Sequence, residues 1–156
     1  MFLDILFQIW RRLSGRMQWW LLWLVNSKFM VSVSGVIFDD SGCILLQRHR
    51  HWVQNVWGLP GGIVLSGETL EEAFAREVFE ETHLVISDIE LIKVVSNYRL
   101  RLEIYFQAKL AENCKTQDIR LQRQEVLEAR FFSRDELPTN LLPLQKKLIE
   151  HIVNLT

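Results

Sequence analysis

The most informative stretch of the chain, residues 62–84, reads GIVLSGETLEEAFAREVFEETHL. From Glu68 to Glu81 it holds six glutamates against one basic residue, Arg76. Acidic and hydroxyl side chains at Glu68 and Thr69 suit the exposed N–H groups at the beginning of a helix. The pattern therefore predicts a helix over residues 67–82, GETLEEAFAREVFEET. Its acidity needs an explanation, because like charges on one short helix repel each other.

A helical wheel places Glu77, Glu80 and Glu81 within one arc of roughly 100°, beside the apolar arc of Phe74, Ala75 and Val78. A charged helix face is usually solvated, but a solvated face lies opposite the core, whereas this one borders it. Partly buried carboxylates raise each other's pKa unless a cation compensates them. Because oxygen ligands select hard divalent ions, the cluster predicts a site for Mg²⁺ or Mn²⁺.

The rest of the chain predicts strands and helices without regular βαβ alternation, which favours an α+β fold with a mixed sheet. The sequence GLPGG, residues 58–62, marks a sharp backbone feature. Loops are predicted over residues 48–57 and 111–124. The predicted strands are 31–38, 43–48, 85–97, 100–110 and 127–132, and an amphipathic helix is predicted over 141–155.

Residues 1–28 differ from the domain predicted over 29–156, since they hold four of the six tryptophans. They predict two short helices broken at Ser14-Gly15, the first amphipathic. The second contains WWLLWLV, residues 19–25, which is apolar on all sides but far shorter than the ~20 residues that span a bilayer. We expect the domain surface to cover one side of it and the first helix or a second subunit to cover the other. The alternative is peripheral contact with a membrane, which the tryptophans and the net charge of +3 over residues 1–28 would favour.

Composition limits the classes of partner and compartment. The 156 residues carry a formal net charge of −1, so no global field selects nucleic acid. Cys43 and Cys114 lie far apart without metal-ligand spacing, and Cys43 is expected inside a strand. No secretory signal is evident, so these features predict a cytoplasmic protein with free thiols, either dissolved or peripheral at the membrane.

From Gly62 the chain resembles the Nudix box, G-x5-E-x7-R-E-U-x-E-E-x-G-U, where U is a bulky aliphatic residue. Eight positions agree: Gly62, Glu68, Arg76, Glu77, Val78, Glu80, Glu81 and Leu84. His83 replaces the expected glycine, which would cap the helix in the left-handed conformation; histidine there costs roughly 1 kcal/mol. The resemblance implies a Nudix α/β/α sandwich with a mixed sheet.

The resemblance also implies a hydrolase that splits the pyrophosphate of a nucleoside diphosphate linked to another group, such as ADP-ribose or a CDP-alcohol, or of a nucleoside triphosphate. Arg76 would orient Glu80, and either Glu80 or Glu125 would be the general base. The implied metal ligands are the Gly62 carbonyl and the carboxylates of Glu77, Glu80 and Glu81, with Glu68 joining through water or a second ion. The alternative is a weakly catalytic nucleotide sensor, against which the retained glutamates argue.

The substrate contacts are less defined by sequence. A base could stack on an aromatic ring, and a phosphate could bind an arginine. Each candidate side chain is equally consistent with a place in the core or on the surface. The candidates are Arg48, Trp57, Tyr98, Arg99 and Arg101.

Overall fold

The computed structural model describes residues 2–53, 55–98 and 100–153. Two short 3₁₀ turns, Thr116–Asp118 and Arg134–Glu136, interrupt the loops. The helices are α1 (Phe2–Arg12), α2 (Gly15–Val25), α3 (Leu70–Thr82) and α4 (Pro143–Val153). The strands are β1 (Met30–Phe38), β2 (Ile44–His49), β3 (Gly61–Ile63), β4 (Ile86–Tyr98), β5 (Arg101–Leu110) and β6 (Val126–Phe132).

The strands form one mixed sheet with the order β4-β5-β1-β2-β6. Strands β1 and β5 run parallel, whereas the other pairs recorded among the described residues are antiparallel. Strand β3 also pairs with β1, and this pairing sets Gly62 opposite Val33. The glycine-rich turn is thereby held against the central strand, next to α3.

Alternating side chains of the central strands form two separate cores. On one face, Val33 and Ile104 pack with Phe74 and Val78 of α3. On the other face, Val36 and Tyr105 pack in a core shared with α4, whose buried residues are Leu148, Ile149 and Ile152. The sheet therefore lies between two helices, which confirms the predicted α+β fold and its sandwich arrangement.

Helix α3 begins at Leu70, three residues later than predicted, and Thr69 is its N-cap in a capping box with Glu72. The Thr69 hydroxyl accepts from the Glu72 N–H at 3.2 Å, and the Glu72 carboxylate accepts from the Thr69 N–H at 2.8 Å. The prediction that the acidic cluster only borders the buried face is wrong for Glu81. Glu81 is itself buried and lies within that face, together with Ala73 and Phe74.

Helix α2 contradicts the expectation that the domain covers one side of it. All its residues lie in the described part of the chain, and none of them is buried. No helix among the described residues is long and apolar enough to cross a membrane. Cys43 lies one residue before β2 instead of within the strand, and both it and Cys114 are free thiols.

Candidate metal and substrate site

Two glycines allow the turn before α3 to lie close to its neighbours, Gly61 to β1 and Gly62 to α3. Gly61 has a φ of +148°, a conformation that side-chain-bearing residues rarely adopt, and an added Cβ would overlap the carbonyl of Val33. An added Cβ at Gly62 would overlap the carboxylate of Glu77. The backbone at Gly62 and the carboxylate of Glu77 therefore lie in direct contact, with no side chain between them.

Glu81 is a buried carboxylate, with only 2% of its surface exposed. The backbone N–H of Gly61 donates to its Oε2 atom at 3.2 Å. Loss of solvent raises the pKa of Glu81 to about 8, and the negative charges of Glu77 and Glu125 add to this increase. The Gly61 N–H and the amide of Gln47 oppose the increase only in part. The buried Gln47 amide finds no regular hydrogen-bond partner among the described residues.

Arg76 binds three glutamates, and Glu68 is its principal partner. Its Nε and Nη2 atoms lie 2.9 and 2.8 Å from the two Glu68 oxygens. Its Nη1 atom lies 2.8 Å from Glu77 and 3.2 Å from Glu80. The contact with Glu80, which the box resemblance implied, is therefore the longest of the four. Hydrogen bonds from Arg76 and from the Leu65 N–H lower the pKa of Glu68 to about 2.

His49 was not predicted as a site residue, because residues 48–57 were predicted to form a loop. It is the last residue of β2, and the pairing with β6 shifts register between Arg48 and His49. Its Nε2 atom lies 3.8 Å from Glu81 and 3.7 Å from Glu125. Burial lowers the pKa of His49 despite these carboxylates. Its ring stacks on Trp52, with 5.4 Å between centroids.

The segment that carries Glu125 is attached to the end of α3. The N–H of Arg120 donates to the carbonyl of Thr82 at 2.8 Å, and the N–H of Gln122 donates to the carbonyl of Glu81 at 3.1 Å. His83 ends the helix with φ 60° and ψ 14°, which confirms the predicted left-handed cap. Its Nδ1 atom lies 3.0 Å from the Arg120 carbonyl oxygen. The replacement for glycine thus contributes a contact of its own.

The predicted substrate residues do not converge. Trp57 is only 7% exposed and packs edge-on against Phe132 in the core. Arg48 pairs with Glu128 and lies over the Trp57 ring, 5.4 Å from its centroid. Tyr98 ends β4, but its side chain and all of Arg99 lie outside the described residues.

Arg101 does lie next to the glycine turn. A cavity of about 130 Å³ is lined by Arg101, Glu103, Trp52 and both turn glycines, Gly61 and Gly62. The Arg101 guanidinium pairs with Glu103 at 2.9 Å and is 43% exposed. A larger groove of about 370 Å³ shares Glu103 and continues toward α4. An elongated molecule can therefore reach the glycine turn from the side of β5.

A comparison with protein families supports the resemblance that the box carries. A family model described as the NUDIX domain matches residues 28–152. The chain belongs to the Nudix family. In this Nudix protein the box helix contacts the glycine turn through Glu77, and the loop that leads to Glu125 is hydrogen-bonded to the end of that helix.

The Nudix protein is similar to named relatives over part of their lengths. An ADP-ribose pyrophosphatase of Methanocaldococcus jannaschii is 40% identical over 67 residues, 43% of this chain and 40% of that protein. The NAD-capped RNA hydrolase NudC of Photorhabdus laumondii is 31% identical over 125 residues, 78% of this chain and 46% of that protein. The chain thus spans less than half the length of either relative.

A solved structure supports the same family. The crystal structure of a MutT NUDIX hydrolase from Burkholderia pseudomallei aligns with a TM-score of 0.67 and 25% identity. The alignment covers 80% of this chain and 98% of that one. Because nearly all of that protein is matched, the similarity extends over its fold as a whole.

The donor atoms of the Nudix box fit a divalent cation in kind. Carboxylates and a backbone carbonyl are the ligands that Mg²⁺ and Mn²⁺ prefer, and the burial of Glu81 leaves its negative charge without a close cation. As placed, no three His, Cys, Asp or Glu side chains of residues 2–53, 55–98 and 100–153 lie close enough to hold a metal ion. The carboxylates of Glu77 and Glu80 both contact Arg76 in this structure.

Proposed function

We propose that this chain is a divalent-metal-dependent hydrolase that splits the pyrophosphate of a nucleoside diphosphate linked to a second group. The observation that carries the proposal is the buried Glu81 carboxylate, held by the Gly61 N–H beside Glu77. A carboxylate at the depth of Glu81 destabilises the fold unless a cation compensates its charge. A site that tolerates such a destabilising arrangement is typical of function.

The proposed metal ligands are the Gly62 carbonyl and the carboxylates of Glu77, Glu80 and Glu81. When bound, a divalent cation would offset the negative charge of the pyrophosphate and make water a better nucleophile. We assign Glu68 a different role from the one the box resemblance implied. Both of its oxygens face Arg76, so its proposed role is to hold that arginine in place.

Glu125 is our candidate for the general base, in preference to Glu80. Glu80 is half exposed, its Oε2 atom contacts Arg76, and its carboxylate is already a proposed metal ligand. Glu125 lies on the His49 side of Glu81, where its Oε2 atom can take a proton from an attacking water. The His49 ring, fixed by stacking on Trp52, would keep the Glu125 carboxylate facing the site.

The proposed substrate is an adenosine diphosphate compound, either ADP-ribose or a compound with the NAD pyrophosphate. Two of the relatives are named for ADP-ribose and for NAD-capped RNA. The cavity beside the glycine turn would receive a phosphate near Arg101, and the groove along Glu103 would receive the attached group. A guanidinium ion is well suited to bind a phosphate oxygen pair.

The proposal is tested by a release assay for nucleoside monophosphate with ADP-ribose, NAD, NAD-capped RNA, CDP-choline and nucleoside triphosphates. Each substrate is incubated with Mg²⁺, Mn²⁺ or a chelator. We expect a nucleoside monophosphate from at least one diphosphate-linked substrate, only with metal, and not with the Glu81→Gln variant. The product is AMP from ADP-ribose or NAD, and nicotinamide mononucleotide from NAD-capped RNA. Glu71→Gln is the matched control, since Glu71 is exposed in the first turn of the same helix. Tight nucleotide binding without turnover would indicate a sensor instead.

A further inference from the structure

The N-terminal segment, residues 2–30, exposes large apolar side chains that the proposed reaction does not use. Trp19 is 65% exposed and Val25 is 76% exposed, and Trp20, Trp23 and Leu24 are each about half exposed. Helix α1 adds Phe7, which is 62% exposed. A patch of this extent marks a surface that binds a partner or a membrane.

The arrangement around α2 favours a membrane surface over a protein partner. Trp19, Trp20 and Trp23 fall within one arc of about 100°, but the exposed Leu22 and Val25 project from the other side of the helix. A flat protein surface that covered the tryptophans would leave the apolar side chains on the other side in water. A helix at the depth of the lipid headgroups is surrounded by partly apolar material, and tryptophan prefers this zone.

The charges of the segment select the kind of membrane. Arg11 and Arg12 end α1, and Arg16 lies in the first turn of α2. Lys28 follows α2, with its ammonium group 4.5 Å from the centroid of the Trp23 ring. Asp4 is the single acidic residue among residues 1–28. Basic residues beside interfacial tryptophans complement the anionic headgroups of a bilayer.

We propose that residues 2–30 attach this protein to the surface of an anionic membrane without crossing it. Each helix has eleven residues, which is about half the length that spans the hydrocarbon core. The tryptophans of α2 enter the headgroup layer, and the three arginines contact lipid phosphates. The inference does not depend on the proposed hydrolysis, since it uses none of the box residues.

The test is flotation of the full chain with phosphatidylcholine vesicles, with and without about one third phosphatidylserine. We expect binding only to the anionic vesicles. A charge variant combines Arg11→Glu, Arg12→Glu and Arg16→Glu, and binding should weaken at least on the order of 100-fold, from roughly fivefold for each basic residue lost. Its matched control reverses three exposed lysines of the domain, Lys93, Lys109 and Lys146, and should bind with unchanged affinity.

A second variant, Trp19→Ser, Trp20→Ser and Trp23→Ser, tests the apolar contribution and should also abolish flotation. Because α2 buries none of its residues, this variant should keep the circular dichroism spectrum of the intact sheet. The alternative is that a second copy of the chain covers α2. Sedimentation velocity without vesicles tests this, because it reports whether the protein is a monomer or a dimer. Failure to float with anionic vesicles, equal binding to neutral ones, or a dimer that the tryptophan variant dissociates would overturn the proposal.

Discussion

The substitution Glu81→Gln should make the protein more stable without metal while removing its activity. The amide keeps the shape of the side chain and can still accept the hydrogen bond from Gly61. It carries no charge, so the free-energy cost of burying a carboxylate disappears. The variant separates stability from function, because an ordinary core mutation would lower both.

The magnitude follows from the pKa of Glu81, which is raised from an ordinary 4.5 to about 8. Between these values the folded protein binds a proton that the unfolded chain releases, so stability falls as pH rises through this window. Each pH unit costs about 1.4 kcal/mol, which gives roughly 3 kcal/mol at pH 7. The variant should therefore be more stable by up to that amount at pH 7, and its stability should depend less on pH.

The assay is urea unfolding in a chelator at several values between pH 7 and 8. This range avoids the opposite effect of His49, whose lowered pKa makes stability fall as pH drops below its ordinary value of 6.5. Saturating Mg²⁺ should then stabilise the natural protein, by about 2.7 kcal/mol at one hundred times the dissociation constant, and leave the variant unchanged. Glu71→Gln should follow the natural protein in every measurement.

Two results would refute this reasoning. A variant that is less stable than the natural protein at pH 8 in chelator would show that the buried carboxylate is not destabilising. A variant that retains full turnover at saturating Mg²⁺ would remove Glu81 from the metal site.

Three further changes test other parts of the site. Glu125→Gln should lower kcat by about 10²- to 10⁴-fold with little change in KM, as expected for a general base, and an unchanged kcat would return that role to Glu80. Arg101→Ala should raise KM for a diphosphate substrate about tenfold or more with kcat nearly constant; equal KM values would exclude the cavity as the phosphate site. In urea unfolding, His83→Ala should lose roughly 1 kcal/mol with the contact to Arg120, whereas His83→Gly should lose less because it also relieves the left-handed strain; equal losses would argue against that strain.

Much of the fold was predictable because periodic patterns are local. The alternation in β5 and the capping residues of α3 are set by neighbours in the sequence, and their predicted bounds agree with the structure to within a few residues. Strand β3 was not predicted. It has three residues, two of them glycine, and its extended conformation comes from pairing with β1. That pairing joins residues about thirty positions apart, which periodicity does not detect.

The site was predictable where it follows one helix and not where it joins several elements. The carboxylates of Glu77 and Glu81 could be placed together from helical spacing alone. His49 could not, because the register shift at the end of β2 determines where its ring points. The pairing of Arg76 with Glu68 was also missed, since Glu68 precedes the helix and helical spacing gives no neighbour there.

The attachment of the loop after β5 to the end of α3 has a consequence for how this chain can change in length. The loop is held at its start, where the Ala111 N–H donates to Val85, and again where Arg120 meets Thr82. Residues added between these two points, away from Cys114 and Ile119, which pack against the core, lengthen the loop and leave Glu125 where it is. Residues added between Arg120 and Glu125 displace the carboxylate from the site. Insertions in this loop are therefore compatible with the proposed chemistry only on one side of Arg120.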